Sequence, residues 1–383
     1  EFLYNSTKGH DWVWRGPVGK WRFDTVLSNS SVNPCDPLWQ GVTCDCSSTC
    51  TIVNLELSEY DLDGTIPPQI SWLPNLTAFD FSKNRLRQTI PTSTFELSKL
   101  SRIMLYENKL SGGIPTEIVL LSSLLIKLEL QKNERFGGNF STSMCELTAL
   151  AHFDVEYNGM SGSIPPCIQN MSSLVYLNIG ANKHSGTLPD EVGYMPPMGK
   201  IQFFGNRFSG TLPASWCNLQ SLYYLDIAVN NVMGTIPSCI GSLTYLTVLA
   251  LSENKMSGTI PVGVSNLTRL HKLFLNFDKF VGTLPSVDLL PNLVIYSMND
   301  NQFTGHLPSL WPSQISSLYV QNNYLTGTLP DSLGTITNLD SVIGLNNYFT
   351  GTIPSSIISC SRLFYFSCSD NSLSGEWYFV MLY

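Results

Sequence analysis

The sequence is poor in charge and has no basic stripe. Only 13% of its 383 residues are Asp, Glu, Lys or Arg, and the formal net charge is −8 at pH 7. Because nucleic-acid binding requires clustered cations that neutralise phosphates, this composition argues against a nucleic-acid partner.

No apolar run reaches the length of a membrane span. No signal peptide is visible and the first residue is Glu1, so we expect a mature or excerpted form.

The sequence also has no recognisable catalytic or cofactor motif. It contains no Ser-His-Asp order, zinc-ligand spacing or phosphate-binding loop. Its five histidines are scattered, and His184 replaces an inward apolar residue, which favours a satisfied turn residue over a ligand. A glycosidase needs two carboxyl groups whose environments separate their pKa values. The aligned carboxylates described below stand on an open face beside cations, so we expect no enzyme, no cofactor and no metal ion.

The chain does have a recurring motif, L-x-x-L-x-L-x-x-N-x-L-x-G-x-I/L-P. Successive copies are mostly 24 residues apart and extend along nearly the whole chain. One clear copy consists of Leu246, Leu249, Leu251, Asn254, Met256, Gly258, Ile260 and Pro261. In successive copies the Asn position holds Tyr60, Asn84, Asn108, Asn133, Asn158, Asn182, Asn206, Asn230, Asn254, Asp278, Asn301, Asn323, Asn347 and Asn371. A fixed period of this length indicates a solenoid.

Each position of the repeat has a physical role. Leu249 and Leu251 are two residues apart, so on a strand both face the core while the residues between them face solvent. Asn254 lies where the chain bends, and its amide can pair with backbone groups that the bend leaves unpaired. Gly258 permits a backbone conformation that a Cβ would resist. Stacked coils would place their strands in a parallel sheet, about 4.8 Å apart.

The second half of the motif, as in residues 257–261 and 326–330, resembles the plant-type leucine-rich repeat of plants and protists. The resemblance implies an α/β solenoid, a right-handed superhelix of about 14 coils of 24 residues with a parallel β-sheet on its concave face. It also implies a second short strand after each Asn. The expected domains are an N-terminal cap rich in Cys and Trp at 1–51, the solenoid at 52–378, and an end or incomplete cap at 379–383.

The repeat departs from its pattern at a few places. One extra residue follows Asn133, so Phe136, Gly138 and Phe140 take the usual positions. Gly344 stands where an inward Leu is expected, which weakens that coil or marks a contact. The C-terminal end allows three interpretations: an apolar cap that folds back, continuation into further segments, or docking on another subunit.

Ten cysteines favour an oxidising compartment. Cys35 and Cys44 flank Trp39 in a pattern that resembles the family's N-terminal cap, although the family usually has fewer residues between Cys and Trp. The resemblance implies that these two cysteines form a disulfide. Cys46 and Cys50 follow at once, and we expect them to close a second small loop.

Two further cysteine pairs follow the repeat itself. Cys145 and Cys217 are 72 residues apart, as are Cys167 and Cys239, and 72 residues are three coils. We therefore predict disulfides Cys145–Cys167 and Cys217–Cys239 on the convex side, each worth about 3 kcal/mol. The alternative is four buried free thiols. Cys360 and Cys368 occupy inward Leu positions, and either a free pair or a disulfide fits them.

The chain contains N-glycosylation sequons, none of them on an outward strand position. They lie at Asn5, Asn29, Asn75, Asn139, Asn170 and Asn266. A glycan needs room at the surface, which the flanks of the coils would provide. Together with the cysteine pairs, the sequons predict a secreted glycoprotein.

The outward strand positions form columns. One column is acidic: Glu56, Asp80, Glu129, Asp154 and Asp226. Another holds Arg102, Lys127, His152, Tyr176, Lys200, Tyr224 and Lys272. These columns fit either a ladder of solvated ion pairs, each worth about 0–1 kcal/mol, or a ligand surface. Towards the C-terminus the face becomes apolar, so we expect partner binding there. The predicted partner-binding residues are Tyr224, Lys272, Phe274, Phe277, Tyr319, Ile343 and Tyr365.

The sequence thus predicts a non-enzymatic, secreted or cell-surface glycoprotein. Its concave face would serve as an extracellular recognition scaffold for a protein or glycan ligand. The alternative is a structural subunit of an extracellular coat or filament that binds copies of itself through the solenoid ends or flanks.

Overall fold

The computed structural model describes residues 1–14, 20–21, 34–35, 39–195 and 197–375. The chain forms two compact units, Glu1–Ser185 and Gly186–Tyr383. The sequon at Asn29 and the predicted end at 379–383 lie outside the described residues. Both units consist of coils that contribute one strand to a main sheet and, in most cases, a short strand to a second sheet.

The first unit begins with helix α1 (Phe2–Ser6). Its main sheet pairs β1 (Val42–Asp45) antiparallel with β2 (Thr51–Glu56) and continues in parallel through β3 (Ala78–Asp80), β5 (Arg102–Met104), β7 (Lys127–Glu129), β9 (His152–Asp154) and β11 (Tyr176–Asn178). The second sheet contains β4 (Arg87–Gln88), β6 (Lys109–Gly112), β8 (Arg135–Asn139), β10 (Gly159–Gly162) and β12 (Lys183–Thr187). Short 3₁₀ helices span Gly9–Asp11, Pro68–Trp72, Thr92–Glu96, Thr116–Leu121, Thr142–Glu146 and Pro166–Asn170.

The second unit repeats this arrangement. Its main-sheet strands are β13 (Lys200–Gln202), β15 (Tyr224–Asp226), β17 (Val248–Ala250), β19 (Lys272–Phe274), β21 (Ile295–Ser297), β23 (Ser317–Tyr319), β25 (Ser341–Ile343) and β27 (Tyr365–Ser367). The second-sheet strands are β14 (Arg207–Ser209), β16 (Met233–Gly234), β18 (Lys255–Gly258), β20 (Lys279–Thr283), β22 (Gln302–Gly305), β24 (Tyr324–Gly327), β26 (Tyr348–Gly351) and β28 (Ser372–Leu373). Its 3₁₀ helices span Asp190–Tyr194, Ala214–Asn218, Ser238–Ser242, Val262–Asn266, Asp331–Thr335 and Ser355–Ser359.

The inward residues of successive coils stack directly on one another. Leu225 pairs with Leu249, and Leu249 with Leu273, in parallel register. All three side chains are fully buried, as are Leu246, Leu251 and Met256 of the same motif. The expected parallel sheet and the second short strand are confirmed, and the remaining side of most coils is a 3₁₀ turn rather than an α-helix.

The repeated Asn joins each coil to the coil before it. Asn254 Oδ1 accepts a hydrogen bond from the Val232 N–H at 2.9 Å, and its Nδ2 donates to the Ile227 carbonyl at 3.0 Å. The same Nδ2 approaches the Leu251 carbonyl of its own coil at 2.8 Å. Equivalent bonds are made by Asn84, Asn108, Asn182, Asn230, Asn301, Asn323, Asn347 and Asn371. We call this set of hydrogen bonds the asparagine ladder.

The residue before the ladder position has a left-handed backbone. Its φ is 57° at Glu253, 56° at Asn322 and 53° at Asn346. Asn tolerates this conformation better than most residues, whereas the β-branched Val229, also at 57°, is strained there. This sharp bend turns the chain out of the main sheet and leads the ladder Asn into the interior.

The departures from the motif have local structural reasons. In the coil with the extra residue, the backbone N–H of Asn133 itself donates to Asn158 Oδ1 at 2.7 Å, whereas in other coils the donor is the N–H two residues past the ladder Asn. Phe136 is fully buried there. A Cβ built on Gly344 would lie 3.3 Å from Cys368 Sγ and 3.4 Å from the Phe349 ring. These two neighbours occupy the space of the expected Leu, so the glycine marks a close contact.

The N-terminal segment packs on the first coil. The Val13 N–H donates to the Tyr60 carbonyl at 2.9 Å, and the Asp63 N–H donates to the Thr7 carbonyl at 3.1 Å. Trp12 is buried, and its Nε1 donates to the Thr7 carbonyl at 3.0 Å. The segment therefore shields apolar side chains that an open end of the repeat would expose.

The structure brings together the four cysteine pairs that the sequence singled out. The disulfides are Cys35–Cys44, Cys46–Cys50, Cys145–Cys167 and Cys217–Cys239. The last two join successive coils, with Cα–Cα distances of 5.6 and 5.8 Å. Cys360 and Cys368 are buried free thiols, and burial raises the pKa of Cys368 to about 12.

Asp278 is an acidic member of the asparagine ladder. Its Oδ1 accepts a hydrogen bond from the Met256 N–H at 2.7 Å, as a ladder amide would. Its Oδ2 is buried and has no hydrogen-bond partner among the described residues. Burial raises the pKa of Asp278 to about 8, although hydrogen bonds from the Met256 and Asn254 backbone oppose this shift. When protonated, the carboxyl group gains a donor and imitates Asn.

We expect the stability of the protein to fall as the pH rises from about 4 to 8, because the folded state holds a proton on Asp278 that the unfolded chain has lost. Asp278→Asn should remove this contribution and raise the free energy of unfolding at pH 8 by roughly 1–3 kcal/mol. Urea denaturation at pH 5 and pH 8 measures both effects.

Asn254→Asp is the matched control, because it places the same carboxyl group at another ladder position. It should steepen the loss of stability with pH. An Asp278→Asn variant that retains the pH dependence of the original protein would show that this carboxyl group does not cause it.

Candidate functional site

The candidate site is the outer face of the main sheet. In each three-residue strand of the main sheet except β27, the middle side chain is buried, while the first and third point away from the core. Parallel register aligns these positions into two columns, as in Lys272, Ile295 and Ser317, and in Phe274, Ser297 and Tyr319. The structure thereby reproduces the columns expected from the repeat.

In the first unit this face carries a linked polar network. Lys127 Nζ lies 3.0 Å from Glu129 Oε1, and His152 Nε2 lies 3.1 Å from the same oxygen. The imidazole stacks on Tyr176 with ring centroids 4.0 Å apart. Burial raises the pKa of Glu129, but hydrogen bonds from His152 and Lys127 outweigh it and leave this pKa below its ordinary value.

Asp154 is connected to this network through Tyr176, which stacks on His152. Its carboxylate accepts hydrogen bonds from Tyr176 Oη and Asn178 Nδ2, both at 3.1 Å, and from the Glu156 N–H at 3.0 Å. Burial raises the pKa of Asp154 despite these bonds, and burial beside the carboxylate raises the pKa of Tyr176. Because its carboxylate oxygens are engaged, we interpret Asp154 as a structural group.

In the second unit, the first two strands of the main sheet carry charged residues on their outer face. Lys200 Nζ lies 4.7 Å from the centroid of the Tyr224 ring, a cation–π distance. Burial raises the pKa of Asp226 to about 6, against the hydrogen bond from the Ala228 N–H and the charge of Lys200. This carboxyl group therefore changes its charge in mildly acidic solution.

Further along the second unit lies an apolar patch, which we define as Phe274, Ile295, Tyr319, Ile343 and Tyr365. Tyr365 is 48% exposed, and the other four side chains are partly exposed. The patch is interrupted by small residues that are almost completely buried between their neighbours. These are Ser297, Ser317 and Ser341.

The structure places the predicted partner-binding residues at two kinds of position. Tyr224, Lys272 and Tyr365 occupy the first column, and Phe274, Tyr319 and Ile343 the second. Phe277 does not lie on a strand. It is the left-handed residue before Asp278, with φ 57°, and its side chain is 51% exposed on the turn beside the sheet.

A chain of hydrogen-bonded turn side chains, one carboxylate and two amides, borders the apolar patch, and sequence reasoning missed it; we call it the amide chain. Asn322 Nδ2 donates to Asp300 Oδ1 at 2.6 Å, and Asn346 Nδ2 donates to Asn322 Oδ1 at 3.0 Å. All three residues are left-handed turn residues that precede a ladder Asn. The pairs Asp300-Asn301, Asn322-Asn323 and Asn346-Asn347 carried this signal in the sequence.

The described sequons lie away from the outer face of the main sheet. Asn5, Asn139, Asn170 and Asn266 are exposed, and Asn75 is half-buried with its Oδ1 accepting from Lys99 Nζ at 2.6 Å. Their glycosylation remains a prediction. Within the described ranges, no group of three or more His, Cys, Asp or Glu side chains is placed to hold a metal ion. None of the helices in those ranges combines the length and the hydropathy that a membrane span needs.

Comparison with known proteins identifies the repeat and its fold. The Leucine Rich Repeat family model matches residues 314–336. The PEPR1–AtPEP1 crystal structure is 28% identical, with a TM-score of 0.65 over 91% of this chain and 55% of that chain. The chain has the leucine-rich repeat fold. A TDR receptor structure is likewise 28% identical, with a TM-score of 0.66 over 84% of this chain and 68% of that chain.

The leucine-rich repeat protein is also similar to a curated plant protein. Receptor-like protein 32 of Arabidopsis thaliana is 27% identical over 142 residues, which are 37% of this chain. The match spans only 14% of the length of that relative. The family and the plant-type repeat predicted from the sequence are thus confirmed.

We expect Lys200→Met to raise the pKa of Asp226 above about 6, because the cation that favours the carboxylate is removed. Carboxyl ¹³C NMR over a pH titration measures this shift. Lys255→Met removes a cation from β18 of the second sheet and is the matched control. A pKa of Asp226 near the ordinary value of about 3.9 would contradict the burial that we describe.

Proposed function

We propose that this leucine-rich repeat protein is a non-enzymatic recognition scaffold, secreted or held at the cell surface, that binds a peptide or protein ligand. The ligand would lie on the outer face of the main sheet in the second unit. The observation that carries the proposal is the apolar patch, which exposes Tyr319, Ile343 and Tyr365 on adjacent strands. Solvent-exposed aromatic side chains on a rigid surface are typical anchors of an interface.

The border of the patch favours a polypeptide ligand. A side-chain amide has two N–H donors and a carbonyl with two lone pairs, so Asn322 and Asn346 retain hydrogen-bonding capacity beyond the bond that joins them. An extended peptide offers apolar side chains and, along its backbone, alternating donors and acceptors. The patch and the amide chain lie side by side and would satisfy these two sets of groups.

The relatives support recognition as the function. PEPR1 was crystallised with AtPEP1, the TDR structure is described as a receptor, and the curated relative as receptor-like. These names apply to those proteins, and the likeness covers only part of their length. The disulfides between coils and the exposed sequons support export to an oxidising compartment.

Panning a displayed peptide library on the protein, followed by calorimetry with the enriched peptides, tests the proposal. We expect Tyr319→Ala combined with Tyr365→Ala to weaken binding about 30-fold or more, because an anchoring Tyr contributes roughly 2 kcal/mol or more. The matched control is Tyr194→Ala combined with Tyr245→Ala, which removes two exposed tyrosines that lie off the main sheet. A library without enriched binders, or equal affinity for the two double variants, would overturn the assignment.

A further inference from the structure

The first unit contains a cavity that the proposed peptide site does not use. Its volume is about 930 Å³, which lies within the range of cavities that hold small ligands. It is found where the chain bends out of the main sheet and enters the second sheet. Its polar lining includes Arg87, Lys109, Lys132, Glu134, Arg135 and Tyr157. We call it the flank cavity.

The extra residue of the repeat builds one wall of the flank cavity. The Phe136 N–H donates to the Asn133 carbonyl at 2.7 Å, so residues 133–136 close a β-turn directly after the ladder position. Glu134 is the residue that this turn adds. Arg135 takes the strand position that directly follows the ladder residue in other coils, as the register of β8 with β6 shows. The turn thus brings one carboxylate and one guanidinium to the cavity.

Gly159 in the following coil makes room for this turn. Several other coils carry a basic residue directly after the ladder position, namely Arg85, Lys109, Lys183, Arg207, Lys255 and Lys279. A Cβ built on Gly159 would lie 3.1 Å from the Phe136 carbonyl oxygen and 3.6 Å from that of Glu134. The turn and the glycine therefore fit each other, and no Lys or Arg side chain fills the space beside them.

Carboxylates balance two of the cations that line the flank cavity. Arg87 forms an ion pair with Asp63, and Lys132 Nζ lies 2.8 Å from Glu107 Oε1. These pairs are exposed and hold the two cations at the wall of the cavity. They leave the charges of the other lining residues uncompensated.

The two uncompensated cations are Lys109 and Arg135. Both side chains are exposed, and neither forms an ion pair with any residue in the described ranges. Strand register places Lys109 opposite Arg87 and puts Arg135 on the next strand. Like charges on strands about 4.8 Å apart repel one another, and an anion bound between them would relieve this repulsion. A cationic cavity in a chain of net charge −8 therefore favours an anionic ligand.

Glu134 and Tyr157 indicate which kind of anion fits. The exposed carboxylate of Glu134 would repel a ligand whose polar groups are all anionic, but it accepts hydrogen bonds from hydroxyl groups. Tyr157 is 52% exposed. The face of its ring is the negative side of a quadrupole and attracts the C–H groups of a sugar ring. A ligand with carboxylates, hydroxyl groups and a sugar ring meets all of these conditions.

We propose that the flank cavity binds an acidic oligosaccharide. A uronate carboxylate lies between Lys109 and Arg135, whose guanidinium offers two parallel N–H donors to it. A hydroxyl group of the sugar donates to Glu134, and one sugar ring packs on Tyr157. The cavity belongs to the first unit alone, so the proposal does not depend on the peptide ligand of the apolar patch.

Calorimetric titration of the full chain with two uronate trimers, trigalacturonate and trimannuronate, tests the proposal. We expect at least one of them to bind, and added salt to weaken the binding because it screens the charges. Methyl esterification of the carboxyl groups should weaken binding at least about tenfold, since the charge-assisted hydrogen bonds are lost.

Lys109→Gln combined with Arg135→Gln should weaken binding of the uronate at least about tenfold for the same reason. The matched control is Lys255→Gln combined with Lys279→Gln. It removes two exposed cations from the same repeat position in the second unit and leaves the cavity intact, so full affinity is expected.

A second pair of variants tests the aromatic contact. Tyr157→Ala should weaken binding, whereas Tyr157→Phe, which retains the ring, should bind nearly as well as the original protein. The backbone accommodates the alanine, because Ala181 holds the equivalent position of the next coil with φ 50°, against 52° at Tyr157.

Thermal unfolding verifies that all variants are folded. The proposal is overturned if the original protein binds neither uronate trimer. It is equally overturned by a folded Lys109→Gln and Arg135→Gln variant with undiminished affinity. Equal or tighter binding of triglutamate, which carries carboxylates without sugar hydroxyl groups, would assign the cavity to acidic peptides and would also refute the proposal.

Discussion

The hydrogen bonds of the buried ladder amide are the interaction on which the rest of the structure depends. One Asn side chain accepts from a backbone N–H of the preceding coil and donates to backbone carbonyls of both coils. A sharp left-handed bend would otherwise leave these groups buried without partners, which costs more than a typical hydrogen bond contributes. The amide therefore allows the chain to turn out of the sheet once in every coil and to stack on itself.

Stacking makes each outward position a column with a fixed spacing. Because parallel register repeats the backbone from coil to coil, the chemistry of a column is decided by the residue type at one motif position. Small local contacts, such as a Thr methyl on the next glycine, then repeat many times. The protein thereby gains ordered surfaces from a short motif.

The main sheet of the second unit carries a surface of distinct composition on its outer face. The apolar patch combines large exposed side chains with buried serines and a bordering amide chain, which suits a ligand with a specific shape.

The sequence by itself determined the repeat, the inward and outward positions and the cysteine pairs to consider, because all of these follow from spacing. It did not reveal that Phe277 stands on a turn, since periodicity does not report the left-handed bend. Nor did it reveal the burial of Ser297, because that burial depends on the size of the neighbouring side chains. It also missed the Asp300–Asn322–Asn346 chain, because these residues lie more than twenty positions apart in the sequence. The unpartnered oxygen of Asp278 was likewise decided by the interior around it. Spacing fixes which side of a coil a residue faces, whereas its contacts arise only when neighbouring coils are stacked.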